Sequence, residues 1–145
     1  MDDASAKPGL LVLASTYPRW KDDHEPGFVH ELSRRLCASF DVTVVTPHSP
    51  GAAVREVMDG VSVIRYRYAP ESMETLVYAG GMAANLRRSP WKFLLVPCFL
   101  LGQYLAARRV VLDGGIKAIH AHWLIPQGVV ARRLGSIFKI PYVVT

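Results

Sequence analysis

Apolar residues occur along this chain in two spacings that alternate. Short, mostly apolar runs bounded by proline, glycine or polar residues predict strands buried in a sheet, and they lie at residues 10–14, 42–46, 61–66, 117–121 and 142–144. After the first run, apolar residues recur every four positions, a spacing typical of one face of a helix, at Phe28, Leu32, Leu36 and Phe40. The first three elements therefore predict a strand, helix, strand unit.

The middle and end of the chain continue the alternation. Asp59-Gly60 separates residues 55–58 from residues 61–66, and an Asp-Gly pair between strand-like segments predicts a hairpin. Residues 73–88 and 91–112 are predicted to form two helices, and Pro126 is placed in the first turn of a last helix. The whole pattern predicts an open, doubly wound, mostly parallel α/β sheet of the Rossmann-like type.

The last predicted strand, residues 142–144, is followed by no helix that could cover it. Parallel sheets are normally buried on both faces, so we expect residues 1–145 to form one domain that is incomplete at its C-terminus.

Composition and charge limit the classes of partner and the cellular compartment that we expect for this protein. The formal net charge is +5, but the arginines form separated doublets, at residues 34–35, 87–88, 108–109 and 132–133, rather than one basic run. We expect each doublet near the C-terminal end of a helix, where cations complement the helix dipole, and we expect no nucleic-acid partner. Two cysteines in apolar surroundings and the lack of a signal-peptide pattern at the start predict a cytoplasmic protein.

The predicted helix at residues 91–112 is unusually apolar. Its apolar stretch, residues 93–107, is shorter than the roughly 20 residues that a bilayer span needs, and it contains Pro97. A membrane-spanning helix is therefore not predicted. Lys92, Arg108 and Arg109 lie within the same helix, so we expect a buried crossover helix or a peripheral contact with an anionic membrane.

Candidate binding residues lie in the loops after the predicted strands, because open α/β sheets bind ligands at the carboxyl ends of their strands. Gly27, at the start of the first helix, could present free backbone amides to a phosphate. His122 could contact a hydroxyl-rich substrate, and Trp123 could stack on a sugar. Tyr17 and Arg19, in the loop after the first strand, could bind substrate or instead serve the fold.

The sequence gives little support for a metal site or for a dinucleotide or P-loop site. His120 and His122 are two residues apart and should share one face of a strand, and His48 could complete a metal site with them. No acidic or cysteine ligand stands at a helpful spacing, so a metal site is not predicted, and no catalytic residue is assigned. The chain has no G-x-G-x-x-G or Walker sequence, which argues against dinucleotide and P-loop binding.

Three motifs occur in order along the chain: S-T-Y-P-R-x5-E-P-G-F-V-x-E-L-x-x-x-L, D-G-V-x-V-x-R and I-H-A-H-W-L-I-P-Q-G. Together they resemble the N-terminal domain of family-4 retaining glycosyltransferases, which have the two-domain GT-B architecture. The resemblance implies transfer of a sugar from a nucleotide-sugar donor to a sugar or lipid-linked acceptor, usually without a metal cofactor, as in polysaccharide biosynthesis.

Residue roles also follow from the resemblance. In such enzymes the N-terminal domain binds the acceptor, the glycine loop that maps onto Gly27 closes toward the donor phosphates, and the strand end that maps onto His122 lines the cleft. The donor-binding domain, with its paired glutamates, would follow residue 145. We therefore expect the chain alone to be inactive and to bind nucleotide-sugars weakly.

An alternative is a non-catalytic Rossmann-like module that binds a ligand or regulates a partner. A second βα domain encoded downstream would favour the transferase over this alternative.

Overall fold

The described part of the chain forms a six-stranded sheet with helices on both faces. The computed structural model describes residues 6–23 and 27–145, so Glu25 and Pro26 of the first motif lie outside the described residues. The strands are β1 Gly9–Leu13, β2 Asp41–Pro47, β3 Arg55–Met58, β4 Val61–Tyr66, β5 Ile116–Ala121 and β6 Tyr142–Val144. Their order in the sheet is β3-β4-β2-β1-β5-β6, and only β3 runs antiparallel to its neighbour. The predicted doubly wound α/β sheet is confirmed.

The hairpin between β3 and β4 forms where the Asp-Gly pair predicts it. Asp59 and Gly60 have φ angles of 49° and 85°, the left-handed pair that a tight type I′ turn requires. β3 thereby becomes the edge strand of the sheet.

Within residues 6–23 and 27–145, four helices connect the strands: α1 Gly27–Leu36, α2 Gly81–Arg88, α3 Leu95–Leu112 and α4 Val129–Phe138. A 3₁₀ turn, Pro90–Leu94, precedes α3, so the predicted helix at residues 91–112 is confirmed apart from its first turn. α1 ends before Phe40 because the backbone tightens into i to i−3 turns, in which the Ala38 amide donates to the Arg35 carbonyl at 3.3 Å and the Ser39 amide to the Leu36 carbonyl at 3.0 Å. Pro126 lies in an irregular turn, Leu124–Gly128, that precedes α4 rather than in its first turn.

The predicted helix at residues 73–88 is wrong in its first half. Leu76 and Val77 are buried in an irregular loop, and the Asn85 side chain donates to the Leu76 carbonyl at 3.0 Å. Gly80 and Gly81 then take φ angles of 109° and 87°, which no right-handed helix contains. The right-handed turns of helix α2 therefore begin after Gly81, the first residue of its range.

The hydrophobic core lies on both faces of β1, which is buried along its length. On one face Leu11 and Leu13 pack in a cluster with residues of α3 and α4, including Phe99 and Leu134. On the other face Val12 packs in a cluster with residues of α1 and β2. The doubly wound arrangement thus positions the carboxyl ends of β1 and β5 side by side at one edge.

The arginine doublets follow the helix-end prediction only in part. Residues 34–35 and 87–88 lie in the last turns of α1 and α2, and Arg109 lies in the last turn of α3. The prediction for the doublet at residues 132–133 is wrong, because α4 runs on to Phe138 and holds both arginines in its middle. Both side chains are exposed, so solvation rather than the helix dipole accounts for them.

Candidate functional site at the carboxyl ends of β1 and β5

The topology of the sheet marks one crevice for a ligand. β1 has β2 on one side, reached through α1, and β5 on the other side, reached only after the chain has passed through β4 and α3. At such a switch point the connections leave a sheet in opposite directions, and a crevice opens beyond the strand ends. Here Ser15 follows β1, and His122 and Trp123 follow β5.

His122 is buried just after the end of β5, with half of its imidazole unpartnered. The residue is 4% exposed, and its backbone amide continues the sheet by donating to the Leu13 carbonyl at 2.9 Å. Its Nδ1 lies 3.3 Å from Thr145 Oγ1, whereas Nε2 is buried and has no hydrogen-bond partner among residues 6–23 and 27–145. A buried polar atom without a partner costs free energy, and a ligand is one way to satisfy it.

The Thr145 hydroxyl links His122 to His120. His120 Nε2 lies 3.0 Å from Thr145 Oγ1, and the two imidazole centroids are 4.3 Å apart, which confirms that both side chains share one face of β5. Burial lowers the pKa of His120, and burial together with the nearby His120 lowers the pKa of His122 to about 4. Both rings are therefore neutral near pH 7, and His122 Nε2 is either an N–H donor or an acceptor, according to which nitrogen holds the proton.

Trp123 is held in a strained backbone conformation at the rim. Its φ angle is 81°, a value that L residues with a large side chain rarely adopt and that typically costs about 1–3 kcal/mol. The amide of Trp123 donates to the Thr145 carbonyl at 2.7 Å, and its carbonyl accepts from the Gly128 amide at 3.1 Å. These bonds hold the indole 53% exposed beside a cavity of 210 Å³.

Gln127 ties the two loops of the crevice together. Its side chain is fully buried. In the amide orientation that satisfies both ends, the nitrogen donates to the His122 carbonyl at 3.1 Å and the oxygen accepts from the Ser15 amide at 3.2 Å. The loops after β1 and β5 are thus fixed against each other. The only local signal for this bridge is a polar residue in an otherwise apolar turn.

The sequence of the chain matches a known protein family. A family described as the glycosyl transferase 4-like domain matches residues 28–145, which is most of the chain and includes β5 and the crevice residues after it. The chain belongs to this family. No curated protein matched the sequence of this glycosyl transferase 4-like domain.

Gly27 begins α1 of the glycosyl transferase 4-like domain, at the side of the crevice. The aromatic ring of Phe28 meets the His122 imidazole edge to face at 6.1 Å, so the N-terminus of α1 lies close to the end of β5. A side chain at Gly27 would meet no described atom within 4 Å, which leaves space beside the helix terminus. Phe28 is a site residue that the sequence pattern assigns only to a helix stripe, and it is 55% exposed.

Tyr17 lies beneath the loop after β1 and is fully buried. Its hydroxyl is hydrogen bonded to His30 Nδ1, and His30 Nε2 lies 2.8 Å from an Asp59 carboxylate oxygen. Burial raises the pKa of Tyr17 well above its usual value, so the phenol stays protonated. Tyr17 thus joins α1 to the fold, and its contact with substrate stays a prediction.

Arg19 is held in the same loop by a carboxylate and two rings. Its Nε lies 2.8 Å from Asp23 Oδ2, and its guanidinium lies 4.6 Å from the Trp20 ring and 5.0 Å from the Tyr78 ring. One quarter of the side chain is exposed, at the mouth of a separate cavity of 360 Å³. Substrate binding by Arg19 stays a prediction.

The structure places His122 and Trp123 at the crevice and Tyr17 and Arg19 in the adjoining loop. Gly27 lies at the start of the neighbouring helix α1 and lines a separate cavity. His48 does not join His120 and His122, because its Nδ1 lies 3.0 Å from the buried Glu74 carboxylate and its Nε2 2.9 Å from the Ala52 carbonyl oxygen. Within the described ranges, no group of three or more possible metal ligands occurs.

Proposed function

We propose that this domain forms the acceptor-side wall of a glycosyltransferase cleft, in an enzyme that transfers a sugar from a nucleotide-sugar donor to a glycan or lipid-linked acceptor. The observation that carries the proposal is that Nε2 of His122 is buried and has no hydrogen-bond partner among the described residues. This nitrogen lies at the switch point of the sheet, in a chain that belongs to the glycosyl transferase 4-like family. A sugar hydroxyl can donate to this nitrogen or accept from it, so either proton position of the neutral ring suits such a ligand.

The neighbouring groups suit the rest of such a substrate. The exposed Trp123 indole offers a flat apolar face for a sugar ring. The N-terminus of α1 offers positive potential to a phosphate, and the first turn of α1 contains no acidic residue that would repel it.

The donor is expected to bind chiefly to a second domain that faces this one, as the resemblance to two-domain enzymes implies. Calorimetric titration of the chain with a panel of nucleotide-sugars should therefore show weak binding or none. Tight binding by the chain alone would contradict this division of the cleft and would favour an independent ligand-binding module.

The role of His122 is tested in the complete enzyme that contains this domain. His122→Ala should lower kcat/KM about 100-fold or more, since it removes a polar contact to the reacting sugars that nothing else replaces. Arg132→Ala is the control and should keep the activity of the unmodified enzyme, because Arg132 is exposed in the middle of α4 and is not a candidate site residue. Equal activity of His122→Ala and the unmodified enzyme would overturn the assignment.

A further inference from the structure

Helix α3 buries one face against the sheet. Leu95, Phe99, Gln103, Ala107 and Val110 are buried, at the spacing of a single helical stripe. Helix α3 packs on β1, β2 and β4 through this stripe. The opposite face of α3 therefore points away from the sheet.

The opposite face of α3 and the turn before it expose large apolar side chains. We call this surface the apolar ridge, and it consists of Trp91, Phe93, Leu94, Leu101, Leu105 and Leu112. Their exposed fractions are 48%, 60%, 78%, 57%, 44% and 55%. Single exposed apolar residues are ordinary, but a contiguous row of this kind marks a surface that contacts a partner.

The charge around the apolar ridge is mostly positive, with one exposed carboxylate, Asp113, directly after Leu112. Residues 75–112 contain five basic residues, Arg87, Arg88, Lys92, Arg108 and Arg109, and no aspartate or glutamate. The four arginines are exposed, and Arg108 lies on the ridge face between Leu105 and Leu112. A surface that combines apolar area with an excess of cations is complementary to an anionic lipid bilayer. A second copy of the chain would place the same cations against each other.

The helix has the composition of a bilayer span but not the packing of one. Pro90–Leu112 has 23 residues and a mean hydropathy of 1.4, enough to cross a membrane by length and composition, and 33% of its most apolar window is buried in the fold. Crossing the bilayer would remove Phe99 and its neighbours from the sheet that they cover. Lying in the interface leaves those contacts intact and buries only the exposed face.

We propose that the apolar ridge docks on an anionic bilayer, with α3 parallel to the membrane plane and Trp91 at the level of the lipid headgroups. This docking does not require transferase activity, so the two proposals can fail separately. If both hold, the domain works at the surface where a lipid-linked acceptor resides.

Vesicle flotation of the chain tests the proposal. The chain should float with vesicles of equimolar phosphatidylcholine and phosphatidylglycerol, and far less with phosphatidylcholine alone or at high salt. Leu101→Gln with Leu105→Gln should reduce the partition coefficient about tenfold or more, since two apolar side chains leave the lipid. Val57→Gln is the matched control, since Val57 is 71% exposed on the edge strand β3, and it should float like the unmodified chain.

Three further measurements test what occupies the ridge and whether the variant folds. Trp91 should be quenched by brominated lipids, and Trp91→Phe should remove that part of the quenching. Thermal melting should show that the Leu101 and Leu105 variant folds like the unmodified chain. Equal flotation of the variant and the unmodified chain, or no flotation at all, would overturn the proposal. A dimer in light scattering that the variant abolishes would assign the ridge to a second copy instead.

Discussion

Two groups of buried polar side chains lie near the carboxyl edge of the sheet, His48 with Glu74 and His120 with His122. They differ in how many of their polar atoms have hydrogen-bond partners within the fold. Near β2 and β4, Glu74 lies 3.0 Å from His48 Nδ1 and 2.9 Å from Arg67 Nε. After β5, His122 has one weak contact at 3.3 Å and a second nitrogen without a described partner. Glu74 binds His48 and Arg67 within the fold, whereas Nε2 of His122 has no described partner.

Arg65 shows how a buried polar side chain on the β2 and β4 side contacts other segments of the fold, although its Nε, like Nε2 of His122, has no described partner. Its guanidinium is buried on β4, donates to the carbonyls of Pro18 and Ala53 at 2.7 Å each, and lies 2.6 Å from Glu56 Oε1. It therefore joins the loop after β1 to the hairpin side of the sheet. Burial alone does not mark a functional site at this edge, because the completely buried arginine is a structural one.

The largest effect is expected from removing that arginine. Arg65→Met should lower the free energy of unfolding by about 3 kcal/mol or more, because two loop carbonyls lose their donor and Glu56 loses its cation. Urea denaturation measures the change. Arg55→Met, at an exposed position on β3, is the control and should stay within about 0.5 kcal/mol. A stable Arg65→Met would mean that the loop after β1 is held by other contacts.

The sequence predicts the features that depend on local patterns, but not the long-range contacts that bury polar side chains. The strands and the hairpin turn follow from local patterns, since apolar runs and the Asp59-Gly60 pair encode them directly. Arg65 has no such signal, because its burial depends on carbonyls from Pro18 and Ala53, which lie in other segments of the chain. A residue in an alternating strand gives no sign that a distant loop will cover it.

The irregular loop before α2 escapes prediction for a similar reason. Leu76 and Val77 have apolar spacing that suits a helix, but the Asn85 side chain holds the backbone carbonyls of Leu76 and Tyr78 in another conformation. Only the tertiary structure brings these groups together. The Gly80-Gly81 pair is the one local sign that a helix cannot continue.

In the candidate site, the sequence predicts position but not hydrogen bonding. His122 and Trp123 are candidates because they follow a strand end, where α/β sheets bind ligands. The unpartnered Nε2 depends on Thr145 lying beside Nδ1 and on Phe28 packing against the ring. Both contacts join segments that are distant in sequence, so no local pattern reports them.

A change of pH should have an intermediate effect on the free energy of unfolding, through the titration of His122. The pKa of His122 is lowered from 6.5 to about 4 in the folded state, chiefly by burial. Between these values the unfolded chain binds more protons, so stability is full above pH 6.5 and falls as pH falls toward 4. This group should contribute a loss of about 1 kcal/mol over the first pH unit below 6.5.

Proton NMR measures the titration of His122 directly. The imidazole resonance, assigned with His122→Phe, should have its midpoint near 4. A midpoint close to the ordinary histidine value would show that the ring is solvated, and the crevice would then lack the buried polar atom on which its function rests.

The smallest effect on stability is expected from removing the His122 imidazole itself. His122→Phe keeps an aromatic ring against Phe28 and loses only the weak contact with Thr145, so the free energy of unfolding should change by less than about 1 kcal/mol. His48→Phe is the paired variant. It removes a partner from the buried Glu74 carboxylate and should cost about 2 kcal/mol or more. Urea denaturation of both variants gives the two values under one set of conditions. If His122→Phe is as destabilising as His48→Phe, then both imidazoles serve the fold equally, and Nε2 of His122 is not left free for a substrate.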